Sequence, residues 1–357
     1  MGKKVVVGLS GGVDSAVVAA FLLKEQGYDV IGLFMRNWKE EDESGRCTAD
    51  DDYLDVRRIA DALKIDYYAE DFSKEYLDRV FKSFVEEYEK GRTPNPDVLC
   101  NREIKFDAFA AFARTMGADY VATGHYAAVS HGERHLLLRS QDENKDQTYF
   151  LNQVTEEQIS NALFPLGELK KGEVRAIAKK AGIPVWEKKD STGICFIGER
   201  NFRKFLSEYI PMKQGEIVTP EGVVVGKHEG VFYYTIGQRK GLGVGGGGNG
   251  EPWFVIAKDV ANNRLIVTQG ETEALFSSAL TADDFHFIST ELPEGESRVL
   301  ARIRHRQPLE QATAFREGKK VKVTFDRPQR AVAEGQYVVL YQDRVCLGGG
   351  VIESKER

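Results

Sequence analysis

The stretch from Val5 to Leu23 constrains this chain more than any other. An apolar run, Val5-Val-Val-Gly-Leu9, leads into Ser10-Gly-Gly-Val-Asp-Ser15 and then into Ala16-Val-Val-Ala-Ala-Phe-Leu-Leu23, so a short strand empties through a glycine turn into a helix. Such a turn is an anion site. Gly11 and Gly12 let the backbone approach an oxyanion, and the unpaired N–H groups and positive dipole end of the helix favour phosphate. No lysine follows the glycines, which separates the turn from the Walker loop, whose Lys reaches the terminal phosphates. A capped helix start would explain Ser10 or Asp14 alone. Six such residues between a strand and a helix point instead to nucleotide phosphate.

The chain then alternates in β-α fashion, with strands expected at 4–9, 29–34, 65–68 and 119–123 and helices near 15–26, 50–63, 73–89 and 102–116. This predicts an α/β fold, an N-terminal doubly wound parallel sheet with helices on both faces. Ligands of such sheets sit outside the carboxyl ends of the strands, which collects Ser10–Ser15, Met35–Trp38 and Thr123-Gly-His-Tyr126 at one rim. The segment 155–210 reads as three helices with a loop at 186–198. Beyond residue 211 short alternating strands with Gly, Asn and Pro turns take over. Residues 212–272, including Gly243–Gly250, suit a small β-rich domain, and six strands between 283 and 352 suit a small C-terminal β-barrel.

At 357 residues the chain exceeds what one core organises, so two or three domains are expected, and the change of pattern after residue 211 divides it into three, at 1–210, 211–275 and 276–357. Hydrophobic and charged contents of 42% and 29% are those of a globular protein. The apolar stretch 5–23 is broken by Ser10–Ser15 and is neither a signal peptide nor a membrane span. A cytoplasmic location without membrane association follows as the expectation, with the four cysteines as thiols. A net charge of −6 argues against indiscriminate nucleic-acid binding, yet residues 298–330 hold ten Lys or Arg against three acids. That stretch is either a solvated strand face or a phosphate-contacting surface.

Cys100 lies in Gly91-Arg-Thr-Pro-Asn-Pro-Asp-Val-Leu-Cys-Asn-Arg-Glu-Ile-Lys-Phe106. The two prolines are expected to exclude helix before Val98, which puts Cys100 beside a helix start, where the dipole, Arg102 and Lys105 favour a thiolate. Cys195 lies in the charged, glycine-containing loop Lys188–Arg200 and reads as accessible. Cys346 resembles a buried strand residue, and Cys47 suggests no role. For Cys100 and Cys195 the residues alone leave open a redox or nucleophilic pair, buried small hydrophobes, a disulfide, or half of a metal site. Zinc would want close Cys/His pairs, which are missing, so no metal centre is expected.

The turn at 10–15 resembles the SGGxDS loop of PP-loop ATP pyrophosphatases. With GLFMRNW at 32–38, GRTPNPDVLCNREIKF at 91–106, ATGHYA at 122–127, NKDQTYFL at 144–151, KKDSTGICFIGER at 188–200, TIGQRKGLG at 235–243 and CLGGG at 346–350, the chain resembles the MnmA/TrmU family of tRNA-specific 2-thiouridylases over nearly its whole length. The resemblance implies ATP-dependent 2-thiolation of the wobble uridine of tRNA, with Mg²⁺, ATP and a sulfur-donor protein as cofactor, co-substrate and partner. It implies a nucleotide pocket of Gly8, Leu9, Ser10, Gly11, Gly12, Val13, Asp14, Ser15, Met35 and Gly124. Cys195 would carry a persulfide, Cys100 would be the nucleophile that releases its sulfur, and a transient Cys100–Cys195 disulfide would result. Asn95, Pro96 and Asp97 would meet the target base, Asp97 as acid or base. His125, Lys145, Asp146, Gln147, Arg304, His305 and Gln336 would contact tRNA. For His125, capping its own loop is the competing role. A PP-loop amide ligase would need no cysteine, and a non-catalytic RNA adapter would need neither cysteines nor an intact loop.

Overall fold

The computed structural model describes residues 2–38, 48–190, 202–245 and 249–357. Cys47 and Cys195, and with them the proposed disulfide, lie outside the described residues.

Five strands form a parallel sheet in the order β3-β2-β1-β4-β7: β1 (Lys4–Leu9), β2 (Asp29–Arg36), β3 (Asp66–Asp71), β4 (Tyr120–Ala122) and β7 (Ala162–Leu163). β1 is central because both its faces are apolar. Val5, Val7 and Leu9 pack with Ala16, Ala20, Val56 and Ile59 on one side, while Val6 packs with Phe109, Phe84 and Ile104 on the other. The helix after β1 opens with a wide π turn, Val13–Val17, and continues as α1 (Val18–Glu25). The chain first builds outward through β2 and β3 and then crosses to β4, so the order reverses between β1 and β4. An open α/β sheet forms its ligand crevice at such a point, and Ser10 and Thr123 follow those two strands.

β8 (Gly215–Val218), β9 (Val224–His228), β10 (Trp253–Asp259) and β11 (Arg264–Gln269) form a second sheet. Six further strands, β12 (Phe276–Phe287), β13 (Gly295–Arg302), β14 (Glu310–Glu317), β15 (Lys320–Arg330), β16 (Tyr337–Gln342) and β17 (Val345–Glu356), close into a barrel by β12–β17 pairing. Closure leaves no exposed edge among these six, and Leu280, Val299, Val323, Val338 and Leu340 fill the interior. A hairpin from the first half, β5 (Ala127–Ser130) and β6 (Leu136–Arg139), adds to this sheet where Leu138 pairs with Val345. Tyr149, Leu151, Ile217, Val231, Tyr341 and Cys346 belong to the same apolar cluster as Cys100, so one core runs beneath all three sheets.

Two sequence expectations change. The helix carrying Cys100 begins at Pro96, not after Val98: Pro96 sits in its first turn, where the missing N–H would be unpaired anyway. Cys100 therefore lies in the second turn and is fully buried. The basic stretch is largely answered inside the fold, since Arg316 meets Glu291, Lys319 Asp284, Lys322 Glu356, Arg330 Glu271 and Arg298 Asp326. Four of those five acids lie outside the stretch and reach it through neighbouring strands and turns. Arg306 and Arg327 are exposed, with no ion pair among the described residues.

Candidate active site

The glycine turn is shaped by close backbone packing. Gly11 has φ +73°, and a Cβ there would sit 2.7 Å from the Asp52 carbonyl oxygen of α2 (Thr48–Leu63). Gly124 rests directly on the turn, where a Cβ would fall 1.9 Å from the Asp14 carbonyl oxygen and 2.2 Å from Ser15 Cα. Gly12 is different: its nearest neighbours would be the Ser15 and Ser10 hydroxyls, at 3.6 and 3.7 Å. Those two hydroxyls are hydrogen-bonded to each other. Gly12 thus borders open space lined by hydroxyls at a helix start, the surroundings a phosphate requires. Gly8 and Leu9 end β1 beneath the turn, Val13 is buried, and a Cβ on Gly8 would lie 3.4 Å from Met35 Cε.

Asp14 is held from two distant segments. Tyr126 Oη donates to one carboxylate oxygen at 3.0 Å, and the Lys171 ammonium binds the other. Burial and the neighbouring Asp14 charge push the Tyr126 phenol well above its ordinary range, so it acts as a donor. Lys171 lies at the start of the helix Lys171–Lys180, whose Glu173 carboxylate accepts from the Lys170 N–H at 2.8 Å. Its ammonium also meets Asp190 at 2.7 Å, and Asp190 receives Lys145 at 2.6 Å and Arg175 at 2.9 Å. Lys188 donates to the Gly11 carbonyl at 3.3 Å and to Asp52 and Asp55 at 2.9 and 2.8 Å. Sequence reasoning missed both lysines. They reach the turn from 157 and 177 residues away, and no local pattern marks them.

Cys100 belongs to a second cluster at the same end of the sheet, because a helix feeding a parallel strand runs opposite to it and starts at its carboxyl end. Its neighbour Asn101 donates to the Phe150 carbonyl at 2.9 Å, and the Phe150 ring stacks on His305 with centroids 4.4 Å apart. The Pro94–Asp97 approach is gripped by the barrel: Gln336 Nε2 donates to the Thr93 carbonyl at 2.8 Å, and the Thr93 N–H donates to the Glu334 carbonyl at 2.9 Å. Tyr149 Oη lies 3.2 Å from Gln336 Oε1 and 3.1 Å from the Tyr337 carbonyl. The Asn95–Asp97 turn, the 145–150 segment, His305 and Gln336 thus converge, although they come from separate parts of the sequence. Asn95 and Asp97 are half-buried and Pro96 is buried.

The remaining expected RNA residues divide by burial. Asp146 is fully buried, bonding Arg302 at 3.0 Å and Thr148 Oγ1 at 2.9 Å, so its carboxylate is engaged inside the fold, where it braces the barrel. Gln147 accepts from the Tyr126 N–H at 2.9 Å. His125 is buried between Phe106 and Phe164, its Nδ1 2.7 Å from Thr123 Oγ1, in keeping with the loop-capping role. Burial, aided by Lys105, lowers its pKa well below the usual value and leaves it neutral. Burial likewise brings the His305 pKa down to about 4. Arg304 donates to the Ala331 and Ile236 carbonyls at 2.7 and 3.1 Å and, with Arg327 and Arg330, lines an open pocket of about 380 Å³. Cys346 is buried as expected, its thiol pushed far up by burial. Among the described residues no three metal-ligating side chains cluster, and no helix is long and apolar enough to cross a membrane.

A parallel sheet with a glycine-turn anion site, followed by a small β domain and a closed barrel, defines a three-part nucleotide-type α/β protein. Family models match each part: a tRNA methyl transferase HUP domain over residues 3–199, a tRNA methyl transferase PRC-barrel domain over 203–269 and an aminomethyltransferase beta-barrel domain over 277–352. The tRNA-specific 2-thiouridylase MnmA of Alkaliphilus oremlandii is 56% identical over 98% of this chain and 97% of its own. That of Streptococcus sanguinis is 56% identical over 98% and 95%. The chain belongs to the tRNA-specific 2-thiouridylase family. Among solved structures, the U34-tRNA thiolase NcsA from Methanococcus maripaludis is similar at 18% identity and a TM-score of 0.34, over 58% of this chain and 65% of that one, a likeness too distant to carry weight.

Proposed function

We propose that this protein 2-thiolates the wobble uridine of tRNA at the expense of ATP. The observation that carries this reading is the shared location of the Ser10–Ser15 turn and the Cys100 helix at one end of the sheet, in a chain related to 2-thiouridylases over its full length. The uridine C2 oxygen is a poor leaving group. Its attack on the α-phosphorus of ATP releases pyrophosphate toward Gly11, Gly12 and the Ser10 and Ser15 hydroxyls. Gly8, Leu9, Val13, Met35 and Gly124 shape the remainder of that pocket. Mg²⁺ is usually held by substrate phosphates and one or two carboxylates, and Asp14, on the turn itself, would be the carboxylate that helps to hold it.

The terminal sulfur of a Cys195 persulfide then attacks C2, and AMP leaves. Cys100 thiolate attacks the Cys195 sulfur, the persulfide S–S bond breaks, and a Cys100–Cys195 disulfide remains for an external thiol to reduce. A sulfur-donor protein must reload Cys195. Asn95, Pro96 and Asp97 meet the base, with Asp97 moving a proton at the uracil edge. An anticodon base in a single-stranded loop is inexpensive to extrude. Lys145, Gln147, His305, Gln336, Arg304 and the exposed Arg306 and Arg327 orient the RNA. His305, neutral at physiological pH, contributes stacking and not charge. The work is cytoplasmic.

Nucleosides from tRNA incubated with the protein, ATP, Mg²⁺ and a persulfide source are to be analysed by mass spectrometry. Replacement of one oxygen by sulfur at the wobble uridine is expected, and Cys195→Ala should abolish it. ATP-dependent product formation that survives Cys195→Ala without free sulfide would favour an amide-ligase activity instead.

A further inference from the structure

We propose that Lys171 and Lys188 are the polyphosphate-binding cations of the glycine turn, supplying from distant segments the charge that a Walker loop carries in its own sequence. This rests on the ATP site proposed above and extends it. The turn itself offers N–H groups and hydroxyls but no positive side chain. Two ammonium groups nevertheless stand on it, Lys188 against the Gly11 carbonyl at 3.3 Å and Lys171 against the Asp14 carboxylate.

Both lysines are free to exchange partners. When Lys171 turns to a phosphate oxygen, Asp14 keeps the Tyr126 hydroxyl, and Asp190 keeps Lys145 at 2.6 Å and Arg175 at 2.9 Å. When Lys188 turns, Asp55 keeps Arg58 at 3.3 Å and Asp52 is nearly half exposed to water. No buried carboxylate is stranded, so neither exchange carries the penalty of an unpaired interior charge. The stems are fixed while the tips swing: the Lys171 N–H is held by Asp142 at 2.9 Å, and the Lys188 carbonyl by Arg175 at 3.1 Å. Polyphosphate entering beside Gly12 then takes both ammonium groups, and their charge stabilises pyrophosphate as it leaves.

The test is calorimetric titration of the full chain with inorganic pyrophosphate, with ATP and Mg²⁺, and with AMP. Lys171→Gln and Lys188→Gln should each weaken pyrophosphate and ATP binding roughly tenfold or more, the size of a lost charge-assisted hydrogen bond, and leave AMP binding within about twofold. Lys171→Arg should recover part of the loss. Gly12→Val, which fills the space beside the hydroxyls, separates the two levels of the argument. If Gly12→Val abolishes pyrophosphate binding and neither lysine variant alters it, the lysines are ordinary ion pairs and the inference falls while the site stands. If Gly12→Val changes nothing, the glycine turn is not the phosphate site. Equal losses for AMP and pyrophosphate, with a lowered melting temperature, would also overturn the inference by assigning the lysines a purely structural role.

Discussion

Gln336 Nε2 donates to the carbonyl of Thr93 at 2.8 Å, so a turn of the C-terminal barrel holds the loop that leads into the Cys100 helix. The same side chain lies within hydrogen-bond reach of the Tyr149 hydroxyl at 3.2 Å, which ties the 145–150 segment to the same point. A residue expected from sequence to meet RNA is therefore also the clasp that positions Asn95–Asp97.

Gln336→Ala should lower stability by about 1–2 kcal/mol, for two lost hydrogen bonds. Single-turnover thiolation should fall while ATP binding is retained. Gln336→Glu can still accept from Tyr149 but sets a carboxylate against the Thr93 carbonyl, so it should rescue neither property. Thermal melts beside quench-flow rates check this; wild-type rates in both variants would reduce the clasp to a surface contact.

Removing one partner of the Asp146–Arg302 pair should be costly. Both groups are almost wholly inaccessible, at 0% and 4% exposure, and Asp146→Ala leaves the guanidinium uncompensated. A loss of about 3–5 kcal/mol is expected in urea denaturation. The double change Asp146→Leu with Arg302→Met should recover much of it, because the buried pair is then removed whole, while Arg139, 3.9 Å from Asp146, keeps Glu143 at 3.3 Å. If Asp146→Ala unfolds at the wild-type urea concentration, the pair bears no weight.

The Asp190 cluster carries an acid-side signature. Burial works against the carboxylate, but hydrogen bonds from Lys145 and Lys171 prevail and hold its pKa at about 2, below the ordinary 3.8. A carboxyl depressed by folding adds stability above its unfolded pKa and loses it as the pH falls through the folded value. Wild-type melting temperature should therefore drop between about pH 4 and pH 2 more steeply than that of Asp190→Asn. Parallel profiles over that window would show that Asp190 is not clamped in solution.

What could be read in advance follows from how local each feature is. The Ser10–Ser15 turn is encoded by six consecutive residues, and the barrel strands by alternation within each segment, so both were legible. The β5–β6 hairpin reads as part of the first half because its barrel partner Val345 lies some two hundred positions later than Leu138. Lys171 and Lys188 escaped for the same reason. The basic excess at 298–330 stays open between two readings in sequence because four of the acids that meet it, Glu271, Asp284, Glu291 and Glu356, lie outside the counted window. Pro96 reads in sequence as a helix breaker, although proline is at home in the first turn, where the fold puts it.

The two glycines beside Asp14 should respond to substitution in opposite ways. At Gly124 a methyl group would collide with the backbone of the turn, 1.9 Å from the Asp14 carbonyl oxygen and 2.2 Å from Ser15 Cα, with no flexible side chain to yield. Either β4 or the turn must shift, so Gly124→Ala should cost at least about 1–3 kcal/mol of stability and weaken ATP binding with it. At Gly12 a methyl group meets nothing closer than the Ser15 hydroxyl at 3.6 Å, and the protein should fold as before. That methyl nevertheless occupies the space assigned to phosphate, so Gly12→Ala should reduce ATP affinity at unchanged melting temperature. Paired melts and nucleotide titrations of the two variants decide the matter. Full ATP affinity in Gly12→Ala would move the phosphates away from the hydroxyl-lined face, and an unperturbed melt of Gly124→Ala would mean that β4 and the glycine turn are less tightly packed than their backbone contact requires.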